Sequence, residues 1–298
     1  MYALRSAVPI RCPNFKRFVT PGLFLLLALG TPPAFSADKF SADKWLVLGV
    51  FPHLTARQLV ETYRPLAEML EKHLQRPVII HSAPDFKAFA ARAGRGEYDI
   101  LLTAPHLAWL ARQQAGYRPL LKYAEPVRGL LVVKTGSQFE TPAQLRGRTI
   151  ALADSITVAA LALQADLAAQ GLRRKVDYRT VESGTHINAV IQVIGGRADA
   201  AILGLPAYNL LPPHLREQVH IIAKTAPLSS LMYLTHPRVR DAEVQAIHTA
   251  LLAFGASPAG RTFMRRGGYG GYVEADGREL RFFRPYALLA QEMLRETR

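Results

Sequence analysis

The chain has almost no cysteine, and its one cysteine lies in a segment that we expect to be removed. Cys12 is the only cysteine among 298 residues. Without it the protein can form no disulfide, no thiolate metal site and no cysteine nucleophile. The sequence therefore excludes thiol chemistry from the mature protein.

Acidic residues are missing from the first 36 positions. The same stretch carries four basic residues: Arg5, Arg11, Lys16 and Arg17. The apolar run Val19–Leu29 is too short to span a bilayer comfortably, and residues 34–36 supply a small-x-small cleavage pattern before Ala37. We therefore expect residues 1–36 to be a cleavable signal peptide that exports the chain to the periplasm. An uncleaved membrane anchor is the alternative.

Catalytic motifs are also missing. The sequence contains no Gly-x-Ser-x-Gly elbow, no HExxH and no GxxxxGK phosphate loop. Its nine histidines show no paired spacing of the kind that metal ligands have. The sequence therefore favours a binding protein over an enzyme and assigns no catalytic residue, metal or cofactor, although polar clefts can be repurposed for catalysis.

The charge of the chain is strongly positive, with 37 Lys and Arg against 23 Asp and Glu and a formal net charge of +14. The positive residues are scattered, and the densest clusters are 173–175 and 265–266. Neither cluster is interleaved with aromatic residues, so a nucleic-acid strip is not indicated. We interpret the excess charge as a solvated basic face whose field favours small anionic ligands.

Short apolar runs alternate with longer stretches of helical spacing, a pattern typical of βαβ units. The predicted strands lie at 45–50, 77–81, 98–102, 119–124, 129–134, 149–153, 176–181, 200–203, 219–223 and 231–235. The predicted helices lie at 56–74, 85–93, 106–115, 157–170, 186–194, 241–254 and 285–295.

The order of these elements predicts a two-lobed α/β fold with mixed, mostly parallel sheets and flanking helices. We expect one lobe from 45–125 plus 230–298 and another from 138–224, joined by a two-strand hinge near 125–137 and 224–230. Ligands of such folds lie in the crevice at the carboxyl ends of the strands. We expect the protein to be a monomer.

Polar side chains follow several predicted strands, mostly where a helix begins. They are His53, Thr103, His106, Ser155, Thr157, Thr185 and His186. Free N–H groups in a first helical turn form a ready anion site, which hydroxyls and imidazoles can complete. Hydroxyl residues are also the preferred helix caps. Each of these residues is therefore a candidate ligand contact, with a capping role as the alternative.

Two pairs of motifs resemble a known family, the PhnD-like periplasmic receptors of phosphonate, phosphite and phosphate importers. The first pair is Ala83-Pro84-Asp85-Phe86 followed by 96–100, and the second is Ser183-Gly184-Thr185-His186 followed by 195–200. The resemblance implies a type II periplasmic binding protein that closes on a small anion. It also implies an ABC permease with an ATPase in the inner membrane as the partner.

The sequence departs from the family pattern where the ligand should be held. Phe86 replaces a tyrosine, and Thr103 stands at the position of a second tyrosine. The Ser-Thr-Ser run of the family is 156–158 here and keeps only Thr157, with Ser155 beside it. The acidic residue that would pair with a substrate amine falls near 205–206 and is lost.

These losses remove hydrogen bonds to a charged ligand, each of which contributes about 1.5–3 kcal/mol. We therefore expect the cleft to bind another oxyanion or a more apolar small molecule instead of an aminophosphonate. Phe51, Phe86 and Tyr208 are its candidate walls. A sensory receptor of the same fold, coupled to a membrane histidine kinase, is the alternative to a transport receptor.

Overall fold

The alternating segments fold into eleven strands and ten α-helices over the part of the chain that the structure, a computed structural model, describes, residues 45–296. The signal peptide expected over 1–36 lies outside the described residues. The strands are β1 (Leu46–Val50), β2 (Val78–His81), β3 (Ile100–Thr103), β4 (Arg118–Tyr123), β5 (Gly129–Lys134), β6 (Thr149–Leu152), β7 (Arg179–Glu182), β8 (Ala200–Gly204), β9 (Val219–Lys224), β10 (Met232–Thr235) and β11 (Tyr272–Glu274).

The helices connect these strands and cover the faces of the sheets. They are α1 (Ala56–Leu74), α2 (Phe86–Gly94), α3 (Pro105–Ala115), α4 (Val158–Ala169), α5 (His186–Ile194), α6 (Leu205–Asn209), α7 (Pro213–Arg216), α8 (Asp241–Ala256), α9 (Pro258–Gly267) and α10 (Arg284–Glu296). Within residues 45–296, no helix has both the length and the apolar character needed to cross a membrane.

Two sheets organise the fold. The first has the order β11-β4-β10-β3-β1-β2 and the second the order β7-β6-β8-β5-β9. The pairings β1–β2, β1–β3, β6–β7 and β6–β8 are parallel, and the other five are antiparallel. The α/β class is confirmed. The sheets are more evenly mixed than expected, because β10 and β5 each run antiparallel to both of their neighbours in the sheet.

The chain crosses between the sheets twice. It leaves the first sheet after β4, enters the second at β5, and returns between β9 and β10. The two crossing segments are joined by hydrogen bonds between Val127 and Leu228, at N···O distances of 3.0 and 2.8 Å. The hinge expected at 125–137 contains β5, which the structure places in the second sheet instead. We call the first sheet with α1–α3 and α8–α10 the first lobe, and the second sheet with α4–α7 the second lobe.

Several local features differ from the expected elements, among them the short helices α6 and α7, which were not predicted. The strand expected at 176–181 begins later, as β7, because Lys175 has a left-handed φ of 66° and Val176 is an exposed turn residue. Helix α9 is rich in arginine and glycine, and β11 has only three residues. Neither segment contains the apolar run from which helices and strands are predicted, so neither α9 nor β11 was predicted from the sequence.

The two lobes pack against each other through apolar side chains. The buried core of the first lobe includes four residues from α4 and the loop before it: Ala153, Ile156, Val158 and Leu161. An ion pair also joins the lobes, with Lys87 Nζ 3.3 Å from Glu182 Oε2. The structure therefore has the lobes in contact over the ends of several helices.

Two aspartates from the family-like motifs perform the same task in the two lobes. Asp99 Oδ2 accepts a hydrogen bond from the Val47 amide at 2.7 Å, and Asp199 Oδ2 accepts one from the Thr149 amide at 2.9 Å. Each carboxylate thus holds the start of the neighbouring parallel strand. These motif positions have a structural role in the sheets and lie away from the carboxyl ends of the strands.

We expect Asp99→Ala to lower the free energy of unfolding by about 2 kcal/mol. The change removes the partner of the Val47 amide and of Arg238, whose Nε donates to Asp99 Oδ1 at 2.6 Å. Urea unfolding measures the difference. Asp241→Ala is the matched control, because the Asp241 side chain is 91% exposed in its ion pair with Arg118. Equal stability of the two variants would contradict the assigned role of Asp99.

Candidate functional site

A cavity of about 50 Å³ lies between the lobes, at the ends of the helices that follow the strands. Both lobes and both crossing segments contribute to its wall. The lining residues are Phe51, His53, Phe86, Ala104, His106, Leu107, Val127, Arg128, Gly129, Thr157, Val158, Ala159, His186, Gly204, Pro206, Ala207, Leu228 and Leu231. Since a water molecule needs about 10–15 Å³ of such volume, the cavity suits a molecule of a few heavy atoms.

Four helices of eight or more residues have their first turn at this cavity: α2, α3, α4 and α5. The first amides of a helix have no acceptor within it and lie at the positive end of its dipole. At α3 the N-cap residue Ala104 provides no side-chain hydrogen bond, and Pro105 occupies the first turn. Helices from both lobes therefore present N–H groups at the cavity wall.

Aromatic rings form one side of the wall. The rings of Phe51 and His53 stack with centroids 4.3 Å apart, and Phe86 lies edge-on to His186 at 6.1 Å. Phe86 comes from the first lobe and His186 from the second, each as the first residue of its helix. The apolar contacts between the two lobes therefore extend as far as the cavity wall.

His53 is held by two neighbours on its own lobe. Its Nδ1 lies 2.9 Å from the carbonyl oxygen of Phe51, so Nδ1 carries the proton and donates it, because a carbonyl only accepts. Its Nε2 then accepts from the Tyr63 hydroxyl at 3.4 Å. Both ring nitrogens of His53 are therefore already paired.

His106 connects the lobes. Its Nε2 donates to the carbonyl oxygen of Ile156 at 2.6 Å, from the start of α3 to the loop before α4. His106 is completely buried, and its Nδ1 has no hydrogen-bond partner among the described residues. His186 is 5% exposed, and its Nδ1 also lacks a partner in the described part of the chain.

The three imidazoles are neutral at neutral pH. Burial lowers the pKa of His53 and His106 to about 4, although a hydrogen bond to a backbone carbonyl opposes the shift in each. Burial, with the nearby His53 ring, lowers the pKa of His186 to about 3, and the carbonyl of Ile202 opposes that shift. The histidines therefore contribute no charge to the cavity.

Arg128 is the one lining residue with a charge under these conditions. It lies in the first crossing segment and is partly buried, and its Nη1 donates to the carbonyl oxygen of Thr225 at 2.9 Å. Among the described residues no carboxylate forms an ion pair with it. The guanidinium thus brings an uncompensated positive charge to a cavity of otherwise apolar and neutral groups.

Six of the ten residues proposed from the sequence line the cavity: Phe51, His53, Phe86, His106, Thr157 and His186. Thr157 is constrained there, because its hydroxyl donates to the Asp154 carbonyl at 3.0 Å and accepts from the Ala160 amide at 3.3 Å. It therefore has no hydroxyl proton left for an anion.

Four proposed residues lie outside the cavity wall. Thr185 caps α5 by accepting from the Asn188 amide, and the Ser155 amide and hydroxyl both donate to Glu182. Tyr208 packs against the core of the second lobe, while its neighbours in α6 reach the cavity. Thr103 is buried at the end of β3, and its Oγ1 has no partner in the described structure.

Arg128 was not predicted from the sequence. The prediction searched the ends of strands that precede helices, whereas Arg128 lies in a crossing segment just before β5. Its signal in the sequence is slight, a single arginine between Val127 and the glycine that begins an otherwise apolar strand ending at Lys134. The packing of both lobes around that segment is what brings it to the cavity.

Two lobes joined by a pair of crossing segments, with a small cavity between them, define a two-lobed solute-binding protein. The family model described as ABC transporter, phosphonate, periplasmic substrate-binding protein matches residues 48–280. The chain therefore belongs to this family of substrate-binding transport proteins, and it is a periplasmic binding protein of the phosphonate ABC-transporter type.

Solved structures share the fold. PhnD1 from Prochlorococcus marinus, in complex with methylphosphonate, has a TM-score of 0.75 at 13% identity, over 83% of this chain and 98% of its own. A binding protein component of an ABC phosphonate transporter from Pseudomonas aeruginosa has a TM-score of 0.74 at 15% identity, covering 83% and 86%. A Xanthomonas citri protein bound to chloride has a TM-score of 0.66 at 20% identity, covering 86% and 100%.

Proposed function

We propose that the cavity holds a small anion between the two lobes and that Arg128 provides its charge partner. The observation that carries the proposal is the guanidinium at the cavity wall, bonded to a carbonyl and paired with no carboxylate of the described residues. A charged group in an apolar site needs an opposite charge nearby. The first-turn amides of α3, α4 and α5 supply further donors.

The lining also disfavours a ligand with an amine. No Asp or Glu lines the cavity, and the imidazoles are neutral, so an ammonium group would be buried without a carboxylate partner. The rings of Phe51 and Phe86 favour a small apolar substituent instead. This supports an oxyanion with a short apolar group over an aminophosphonate.

In this proposal the protein is a monomer that is exported by a signal peptide over residues 1–36. Its lobes, 45–125 plus 230–298 and 138–224 extended by β5, move about the crossing segments, and the closed form docks on an inner-membrane ABC permease. The chain binds its ligand without transforming it and uses no cofactor or metal. The alternative partner, a sensor kinase, has no support in the comparisons.

A thermal-unfolding panel tests the proposal. We expect methylphosphonate or another small oxyanion to raise the unfolding midpoint by roughly 5–10 °C at about a hundred times its Kd. The panel includes phosphate, sulfate, methanesulfonate and acetate, and the uncharged dimethyl sulfone is the control for shape. 2-Aminoethylphosphonate should give little shift. Stabilisation by no anion, or by the sulfone as much as by the anions, would refute anion binding.

A further inference from the structure

Phe282 is the most exposed large apolar side chain of residues 45–296, with 81% of its surface accessible. It lies in the 3₁₀ turn Glu279–Phe283, which leads directly into α10. On the following turns of α10, Leu288 and Leu289 are 37% and 45% exposed. Single exposed apolar residues are ordinary on a protein surface, whereas a group of three on one short segment indicates a surface that binds something.

Helix α10 carries apolar residues on its outer side as well as on its inner side. The inner side packs into the first lobe, where Ala287 and Ala290 are completely buried. Phe282 and Leu289 are seven residues apart, so they point in similar directions around the helix axis and away from the buried alanines. A surface helix usually has polar residues at such positions. We call the exposed side of 278–295 the α10 face.

Arginines surround the apolar residues of the α10 face. They are Arg278, Arg281 and Arg284 at its start, Arg295 at its end and Arg112 on the neighbouring helix α3, and all five are exposed. Three of them, Arg112, Arg278 and Arg281, line an open recess of about 480 Å³ together with Trp109. Arg281 and Arg284 form no ion pair with a carboxylate of the described chain. The α10 face therefore combines protruding apolar groups with positive charge.

Few carboxylates compensate this charge. Glu279 turns inward, where it pairs with Lys122 and is 17% exposed. Asp276 pairs with Arg278 at 2.7 Å, and Glu292 is exposed on α10. Two exposed carboxylates thus stand against five arginines, so the α10 face complements an anionic surface.

We infer that the α10 face binds the surface of a bilayer that contains anionic phospholipids. Apolar side chains such as that of Phe282 enter the boundary between headgroups and acyl chains, while the arginines pair with the phosphate groups. Each arginine near an anionic bilayer strengthens binding by about fivefold. Binding of this kind concentrates the protein at the membrane that holds its permease.

A bilayer suits the α10 face better than a protein partner does. A stable protein interface takes about 800 Å² and 20–30 residues from each side, whereas the apolar part of the α10 face is three residues on one segment. A bilayer also accepts a protruding ring without a pocket of matching shape. A second copy of the chain would place five arginines against five more, so charge repulsion opposes self-association.

Vesicle co-sedimentation of the exported protein tests the inference, with its mass showing whether residues 1–36 have been removed. We expect vesicles of phosphatidylglycerol and phosphatidylcholine to bind it at least about tenfold more tightly than vesicles of phosphatidylcholine alone. The difference should shrink in about 1 M salt, where the Debye length is about 3 Å. Equal binding to both kinds of vesicle, or binding to neither, would overturn the inference.

Single substitutions locate the contact on the protein. Phe282→Ala should weaken binding to the anionic vesicles by about tenfold and Arg281→Gln by about fivefold. Both side chains are exposed, so thermal unfolding of the variants should match that of the wild type. Val176→Ala is the matched control, since Val176 is 68% exposed beside the basic cluster 173–175. Unchanged binding in Phe282→Ala, or an equal loss in Val176→Ala, would refute the assignment to the α10 face.

The Phe282→Ala variant also separates a bilayer from a protein partner. A contact between two copies of the chain would show as a change in sedimentation velocity without vesicles. A permease contact would show as weaker binding to the permease in detergent, with vesicle binding intact. Either result would overturn the lipid assignment. Anion binding in the cavity should stay unchanged, because Phe282 and Arg281 are not among its lining residues.

Discussion

Replacing Arg128 by methionine is expected to weaken anion binding by at least about thirtyfold, because removing one partner of a buried charge pair costs about 2–5 kcal/mol. Methionine keeps much of the side-chain volume and removes the charge. The guanidinium of Arg128 donates a hydrogen bond to the Thr225 carbonyl and has no ion pair among the described residues. The Arg128→Met variant without ligand should therefore lose little stability. Calorimetric titration with whichever panel anion binds best measures the effect.

Two further variants separate charge from geometry. Arg128→Lys keeps the charge but loses the planar fork, so its affinity should fall between those of the wild type and Arg128→Met. Arg57→Met is the matched control, since the Arg57 side chain is 89% exposed on α1 and pairs with Glu61. Affinity in Arg128→Met equal to that in Arg57→Met would show that the charge of Arg128 does not hold the ligand.

Acid is expected to destabilise the folded protein steeply, because three histidines are buried as neutral rings. Burial lowers the pKa of His53 and His106 from 6.5 to about 4 and that of His186 from 6.5 to about 3. Below pH 6.5 the unfolded chain binds protons that the folded state excludes, so the free energy of unfolding falls as the pH decreases towards 4.

The carboxyl group of Asp154 has the opposite effect on the pH dependence of the free energy of unfolding. Burial raises the pKa of Asp154 from 3.8 to about 6, with the charge of Glu182 adding to the shift. In this range the folded state binds its proton more readily than the unfolded chain, which offsets one of the three histidines. The net loss is then about 3 kcal/mol for each pH unit between about 6 and 4.

Urea unfolding at a series of pH values in this range measures the slope. His186→Gln should make the slope less steep, because the variant has one buried imidazole fewer. His214→Gln is the matched control, since His214 is exposed in α7, and it should leave the slope unchanged. A free energy of unfolding that stays constant between pH 6 and 4 would contradict the buried neutral state of the histidines.

The sequence predicted the elements of the fold better than their assembly. Apolar periodicity located helices such as α1, where Leu59, Tyr63, Leu66 and Leu70 are all buried. The extent of the hinge could not be predicted, because the apolar run of β5 is equally compatible with a connecting strand and with a sheet strand. Its pairing with β8 and β9 is a long-range contact, which a local pattern does not contain.

The candidate site was also predictable only in part, because a local pattern locates the starts of helices but not the contacts that their side chains make. The starts of helices after strands meet at one crevice, so His106 and His186 could be proposed from their position in the chain. Whether a hydroxyl points to the cavity or caps its own helix depends on the rotamer and the neighbours. Thr157 lines the cavity with its proton already donated to Asp154, and Thr185 only caps α5.

The paired hydrogen bonds between Val127 and Leu228 limit the ways in which the lobes can move. Two separate covalent connections would allow the lobes to twist and to slide past one another. Joined side by side as a short antiparallel ladder, the connections resist sliding, since a shift along the ladder would break both bonds at once. The two connections can still bend together. Bending at this bridge is therefore the movement that the connections resist least, and Arg128 directly follows Val127 in the chain.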